Sequence, residues 1–422
     1  MQDIEDIYEL LPMQHGILFD SVTAGDTGMY LIQLEYLLHG VLRIPEFESA
    51  WRETVARHAI LRTSFHWEEL HKPMQVVHRS VDLPFTVEDW SSLAADERER
   101  RAAELRDVDR RRGVDFEAAP LLRLVLVREG AEDYRLLWSF HHILMEGWSA
   151  SLVLGDVLAS YRALTGADGG PLPTARPFRD YVTWFQEQDP QRAEEYWRGE
   201  LSGFESPTQL GIDLLPTDLH TPVTEHEQQR IELSAKATDA LQSFAKRHRL
   251  TLNTVVQGAW AVLLARYCGE EDVVFGTIVS GRSVPLEGVE SMVGLVVNLL
   301  PSRARVAPRE PLVPWLRQLQ ARQVRQRDFE YTPLVEVKSW SEVQAGVPLF
   351  ESVLVFENWS GDLTTSEWDR ELSVLDVRGY VGAPGVPLMA TIVPARRLEV
   401  RFDYDRNRFA ADAIARLGAN FS

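Results

Sequence analysis

At 422 residues, 45% hydrophobic and 25% charged, the chain is too long for one ordinary core and too apolar for extended disorder. Two or three packing units, or one large bilobed body, are the expectation. The formal charge of −19, from 44 basic and 63 acidic residues, repels phosphate backbones and anionic lipid, so neither nucleic acid nor a membrane is expected as a partner.

Asp3, Glu5, Asp6 and Glu9 occupy the stretch where a secretory signal would carry basic residues. No run of about 18 apolar residues follows anywhere. The single cysteine, Cys268, allows no intrachain disulfide and fits a reducing compartment. A cytoplasmic location is expected, with Cys268 as a buried structural thiol at the end of the apolar run from Ala259 to Tyr267.

Tyr30 to Leu38 reads as a strand, Phe47 to His58 as a helix, and the Asp/Glu/Arg-rich stretch from Asp96 to Asp109 as a solvated helix. Leu121 to Val127 and Leu136 to Phe140 are almost continuously apolar. The Glu129-Gly130-Ala131-Glu132-Asp133 stretch between them has turn chemistry, which predicts a buried hairpin ending at His141. Ser149 or Ser151 can cap a helix in which Val153, Val157, Leu158, Tyr161 and Leu164 recur at helical spacing. The pair His141-His142 thus falls in a loop between a strand end and a helix start, a rigid support with an exposed tip.

Thr165 to Pro177, with three glycines and three prolines, interrupts both periodicities. The expected division is therefore 1–175 and 176–422. The second half predicts a helix capped near Ser234, another from Thr251, and a strand over Asp272 to Ser280. The whole reads as a mixed α/β protein.

A neutral imidazole accepts or donates a proton near neutral pH and can also orient an amine. Successive residues on an extended segment point opposite ways, so one histidine of the pair faces a given cavity and the other supports it. Adjacent histidines on an extended backbone diverge, and no Cys/His spacing completes a ligand set, so no metal is expected. Ser280 lacks the G-x-S-x-G frame of a serine nucleophile, and no GxxxxGK[ST] loop is present to activate a substrate with ATP.

Six segments in order resemble the motif series of nonribosomal peptide synthetase condensation domains, members of the chloramphenicol-acetyltransferase-like superfamily. They are Leu11-Pro12-Met13-Gln14-His15-Gly16-Ile17-Leu18-Phe19 and Arg57-His58-Ala59-Ile60-Leu61-Arg62-Thr63-Ser64-Phe65, similar to RHxxLRTxF. Next come His141-His142-Ile143-Leu144-Met145-Glu146-Gly147 with Trp148 and Ser149, similar to HHxxxDG, and Phe178-Arg179-Asp180-Tyr181 to Trp184. The last two are Val293-Gly294-Leu295-Val296-Val297-Asn298 and the stretch from Pro348 to Asn358. Any one is weak; six in order cover nearly the whole chain.

The resemblance implies two acetyltransferase-like lobes forming a V with a central tunnel, in a domain excised from a longer synthetase. It implies amide-bond formation between an upstream carrier-bound acyl or peptidyl thioester and the amine of a downstream carrier-bound aminoacyl thioester. Partners would be the two peptidyl carrier domains and an adjacent adenylation domain, with phosphopantetheine supplied by the carriers and no cofactor of the domain's own.

Catalytic residues would be His142, as base or positioner, with His141 and Gly147, whose N–H could meet a developing oxyanion. Glu146 stands where the family has Asp, and the resemblance pairs that carboxylate with an arginine, here Arg62 or Arg282. Trp148, Ser149, Asn298, Met13 and Gln14 are implied along the tunnel. An epimerisation-type domain and a non-catalytic carrier-docking module are the alternatives, and a heterocyclisation domain is disfavoured because aspartates there replace the histidines.

Overall fold

The computed structural model describes residues 3–25, 28–166, 172–214, 226–307, 309–357, 372–381 and 385–422. The chain divides into two compact units, and the division is not a single cut. Residues 1–187, 286–296 and 361–382 form the first, and 188–285, 297–360 and 383–422 the second. The chain first crosses between Glu187 and Gln188, a helix later than the 175/176 division expected from glycine and proline. Part of the Thr165 to Pro177 stretch lies outside the described residues, as does Asn358.

The first unit is organised by a five-stranded sheet in the order Leu372–Val381, Leu31–Gly40, Asp133–His141, Leu122–Arg128, Phe85–Asp89. All pairs are antiparallel except the last. The expected hairpin is present, with Leu124 opposite Trp138 and His141 as its last strand residue. Tyr36, Trp138 and Phe140 from the sheet, and Phe47 and Trp51 from the Ile44–Arg57 helix, are almost wholly buried. Trp51 and Trp138 meet edge to face with ring centroids 4.9 Å apart, a favoured aromatic geometry. A small antiparallel sheet, Ile4–Glu9, Met74–His78, Thr63–His66, completes the unit's strands.

The Ala95–Arg112 helix is where the expectation of a solvated face needs correcting. Its Asp109 is buried, bonded to Gln33, Arg123 and Ser139 on the sheet. Arg135, also on the sheet and buried, pairs with Glu35, Glu129 and Glu99 at 2.5, 2.6 and 2.7 Å, and Arg106 of the helix reaches Glu35 at 2.8 Å. The charge-rich stretch thus carries an inward ionic stripe that composition does not distinguish from its outward one.

The second unit holds a six-stranded mixed sheet in the order Asn298–Arg305, Asp272–Val279, Ser352–Phe356, Leu388–Val393, Glu399–Asp405, His226–Glu232. The helices Ala235–His248 and Leu252–Cys268 begin at Ser234 and Thr251 as expected, each hydroxyl accepting a backbone N–H three residues on. Trp260, Phe402 and Leu417 centre the main core there. Cys268 is half-buried rather than enclosed. No described helix is long and apolar enough to cross a membrane.

Removing one partner of a buried ion pair strands the other's charge. Arg135→Met is expected to lower the unfolding free energy by about 3 kcal/mol in urea titrations, and adding Glu35→Gln should recover part of that loss.

Candidate active site

The hairpin's last strand runs into a tight turn at His141. Its path is pinned on both sides: the His141 N–H donates to the Leu121 carbonyl at 3.0 Å and the His142 N–H to the Tyr30 carbonyl at 2.9 Å. Leu144 and Met145 then donate to the His141 and His142 carbonyls, while the side chains of Ile143, Leu144 and Met145 sink into the core. The turn is an apolar plug carrying two imidazoles.

The imidazoles have different environments. His141 is buried, packed edge-on to Phe116 with centroids 4.8 Å apart. Its Nδ1 accepts the Ile143 N–H at 3.3 Å, which places the ring proton on Nε2, 3.3 Å from the Ser21 hydroxyl oxygen. Ser21 in turn donates to the Ile17 carbonyl at 2.7 Å. Burial, and then the neighbouring His142, push the His141 pKa down to about 3. Both ring nitrogens of His141 are thus engaged within the first unit.

His142 is partly exposed. Its Nδ1 is enclosed and makes no hydrogen bond of good geometry among the described residues. The His142 and Met145 backbone groups beside the ring act toward protonation. Burial is the largest influence and holds the pKa below the ordinary 6.5, with the Glu146 charge acting in the opposite direction. A neutral imidazole at pH 7 can therefore accept a proton or orient an amine.

Glu146 begins the helix Gly147–Thr165: its carboxylate accepts from the backbone N–H groups of Trp148 and Ser149. The cap is therefore Glu146, and Ser149 and Ser151 lie inside the helix. Among the described residues the Gly147 N–H makes no hydrogen bond, an orphan donor at the positive end of a 19-residue helix.

Ser149 is fully buried, with its hydroxyl 3.0 Å from Glu146 Oε1 and 2.8 Å from the Gly294 carbonyl, and the Gly294 N–H donates back to it at 3.1 Å. A Cβ at Gly294 would fall 2.1 Å from Cδ2 of Phe178. Segments 146–149, 178 and 294, distant in sequence, thus meet in one cluster inside the first unit. Trp148 is exposed, and its indole N–H donates to the Glu290 carbonyl at 2.9 Å.

Other residues singled out in the sequence hold the frame. Gln14 is enclosed; its side chain accepts from the Leu11 and Gln75 N–H groups and donates to the Ile143 carbonyl at 3.2 Å, so it positions the histidine turn and does not line a passage. Met13 beside it is partly exposed. Arg57 and His58 both hold Asp156, at 2.8 and 2.7 Å, and so fix the helix that Glu146 caps.

Arg62 is engaged with Glu5, the Ala56 carbonyl and the His78 carbonyl, which removes it as the partner of Glu146. Arg282 and Asn298 belong to the second unit. Arg282 is buried there, and the Asn298 amide donates to the Glu330 and Thr332 carbonyls at 2.9 and 2.7 Å. No three described His, Cys, Asp or Glu side chains are grouped to hold a metal ion.

Sequence reasoning missed Ser21, Gln75 and the Ser149 to Gly294 link. Only Ser21 left a trace: Gln14, Ile17, Leu18 and Ser21 recur at helical spacing on the inward face of Pro12–Ala24.

The model of the family described as "Condensation domain" matches residues 4–422. The chain belongs to the condensation-domain family of nonribosomal peptide synthetases. It is 40% identical over 425 residues to part of a linear gramicidin synthase from Brevibacillus parabrevis and 30% identical over 413 residues to bacitracin synthase 3 of Bacillus licheniformis. These alignments cover 99% and 97% of the chain but only 8% and 6% of those proteins, so it matches a small part of each. The starter condensation domain of rhizomide synthetase, in a mutant form with C8-CoA and Leu-SNAC, shares the fold at a TM-score of 0.81 and 20% identity, over 98% of this chain and 92% of that one. SgcC5 from Streptomyces globisporus does so at 0.77 and 23%, over 98% and 97%.

Two outcomes follow from this condensation domain's site. The unfolded chain protonates His141 near the ordinary 6.5, but the folded ring resists until about 3. Stability present above pH 6.5 is therefore lost as pH falls toward 3. Urea denaturation from pH 7.5 to 4.5 should show this decline, with a shallower slope in His141→Asn. Gly294→Ala should cost about 1–3 kcal/mol by overpacking, partly relieved by adding Phe178→Leu.

Proposed function

We propose that this condensation domain joins an acyl or peptidyl thioester on an upstream carrier to the amine of an aminoacyl thioester on a downstream carrier. Phosphopantetheine arrives on the carriers, and an adenylation domain loads the downstream one. The observation that supports the reading is the asymmetry of the histidine pair: His141 is engaged by Ser21 and Ile143, while His142 is partly exposed, with no hydrogen bond to its Nε2 among the described residues, on a turn whose backbone is tied to Leu121 and Tyr30.

In this reading the amine nitrogen attacks the thioester carbonyl, and the C–S bond breaks as the tetrahedral intermediate collapses. The amine's proton passes to His142 Nε2 and on to the departing thiolate, so charge balances. Because a thioester is already activated, holding the amine in a near-attack geometry supplies much of the rate, and the proton transfer adds a factor on the order of 10² to 10⁴. The orphan Gly147 N–H is the donor for the developing oxyanion.

Glu146 contributes through position and charge. As the cap it fixes where the helix starts, and its negative charge offsets part of the burial effect on His142. Glu and Asp both supply these, so Glu146→Asp should retain most activity, while Glu146→Gln should move the acid limb of the rate profile to lower pH.

Intact-protein mass spectrometry of a downstream carrier, with both carriers loaded, tests the reading. His142→Ala should lose on the order of 10² in amide formation or more; equal turnover by native and His142→Ala would remove the assignment. Inversion of a single loaded carrier without a second substrate would instead indicate epimerisation. Carrier binding without product from any donor and acceptor pair would indicate a recruitment module.

A further inference from the structure

Tyr30 immediately precedes the Leu31–Gly40 strand and meets both histidines of the turn. Its carbonyl accepts the His142 N–H at 2.9 Å, which carries the pairing of Leu31 with His141 one step past the last strand residue. Its ring meets the His141 imidazole edge to face, with centroids 6.5 Å apart. The backbone that makes these contacts lies in the left-handed region at φ +58°. A bulky aromatic residue keeps that conformation only where its surroundings hold it there.

The hold comes from both ends of the residue. On the main chain, the Leu31 N–H donates to the Gly28 carbonyl at 3.1 Å and closes a tight turn through Met29 and Tyr30. On the side chain, the Tyr30 hydroxyl donates to Asp20 Oδ2 at 2.9 Å in a partly buried position. A hydroxyl donating to a carboxylate forms the stronger, charge-assisted kind of hydrogen bond. Asp20 lies on the Pro12–Ala24 helix directly before Ser21, whose hydroxyl oxygen is 3.3 Å from His141 Nε2. Two consecutive residues of one helix thus reach the pair, Ser21 through the His141 ring and Asp20 through Tyr30 to the His142 backbone.

We propose that Asp20 and Tyr30 are a positioning pair for His142: the bond between their side chains holds the left-handed residue whose carbonyl fixes the His142 backbone, and amide formation depends on that setting. The inference rests on the condensation reading above. Neither residue needs to touch substrate, because both act through the histidine turn.

The test measures kcat and KM for amide formation on loaded carriers, and the histidine ring signals by NMR, for native, Tyr30→Phe, Asp20→Ala, Asp20→Asn and the Asp20→Ala/Tyr30→Phe double variant. Loss of a signal in His142→Ala identifies the His142 ring. Tyr30→Phe and Asp20→Ala should each lower kcat on the order of 10-fold with KM little changed. Asp20→Asn keeps an oxygen to accept the hydroxyl and should recover most of the rate. Both single variants break the same bond, so the double variant should lose no more than either. The His142 signal should shift in Tyr30→Phe, while that of His248, in the second unit, stays in place.

A native kcat in Tyr30→Phe, losses that multiply in the double variant, or an Asp20→Asn rate as low as that of Asp20→Ala would overturn the proposal. If the native chain forms no amide from any donor and acceptor pair, the condensation reading falls and takes the dependence of amide formation with it. The NMR comparison then decides separately whether the pair positions His142, and an unmoved His142 signal in Tyr30→Phe would sink that too.

Discussion

The carboxylate of Glu146 at the start of the Gly147–Thr165 helix is the contact on which the candidate site depends. It satisfies two of the backbone donors that any helix leaves open at its N-terminus. In doing so it fixes where the turn ends and the helix begins, hence the direction of His142. The same carboxylate lies beside the Ser149 hydroxyl, which carries the link to Gly294. Both carboxylate oxygens of Glu146 serve this network.

Around that contact the first unit is built to resist motion. The histidine turn has its backbone tied to Leu121 and Tyr30, its apolar side chains in the core, and Gln14 bonded to its outer carbonyl. Behind it, Asp156 holds the helix to Arg57 and His58. Rigid support of this kind suits a reaction between two tethered substrates, where much of the acceleration comes from holding atoms in line. Within the pair, His141 is buried with both ring nitrogens engaged, whereas the His142 ring is partly exposed.

The second unit shows a related division of roles. Asn298, implied as a tunnel residue by resemblance, commits its amide to the Glu330 and Thr332 carbonyls. Val293 to Asn298 is divided between the units, with Gly294 serving the first and Asn298 the second. A motif that looks like one element in sequence is thus two structural devices joined by three residues.

By itself the sequence determined the hairpin ending at His141, the helices capped at Ser234 and Thr251, and the family, because local periodicity, capping chemistry and ordered motifs are written in neighbouring residues. Only the tertiary structure decided which arginine was already committed elsewhere, that Gln14 supports and does not line, and that Asp109 and Arg135 turn inward. Each of these depends on a partner between 30 and 129 positions away. Such contacts arise where strands and helices cross, and a charged or amide side chain carries no mark in sequence of whether its partner will be water or another buried group.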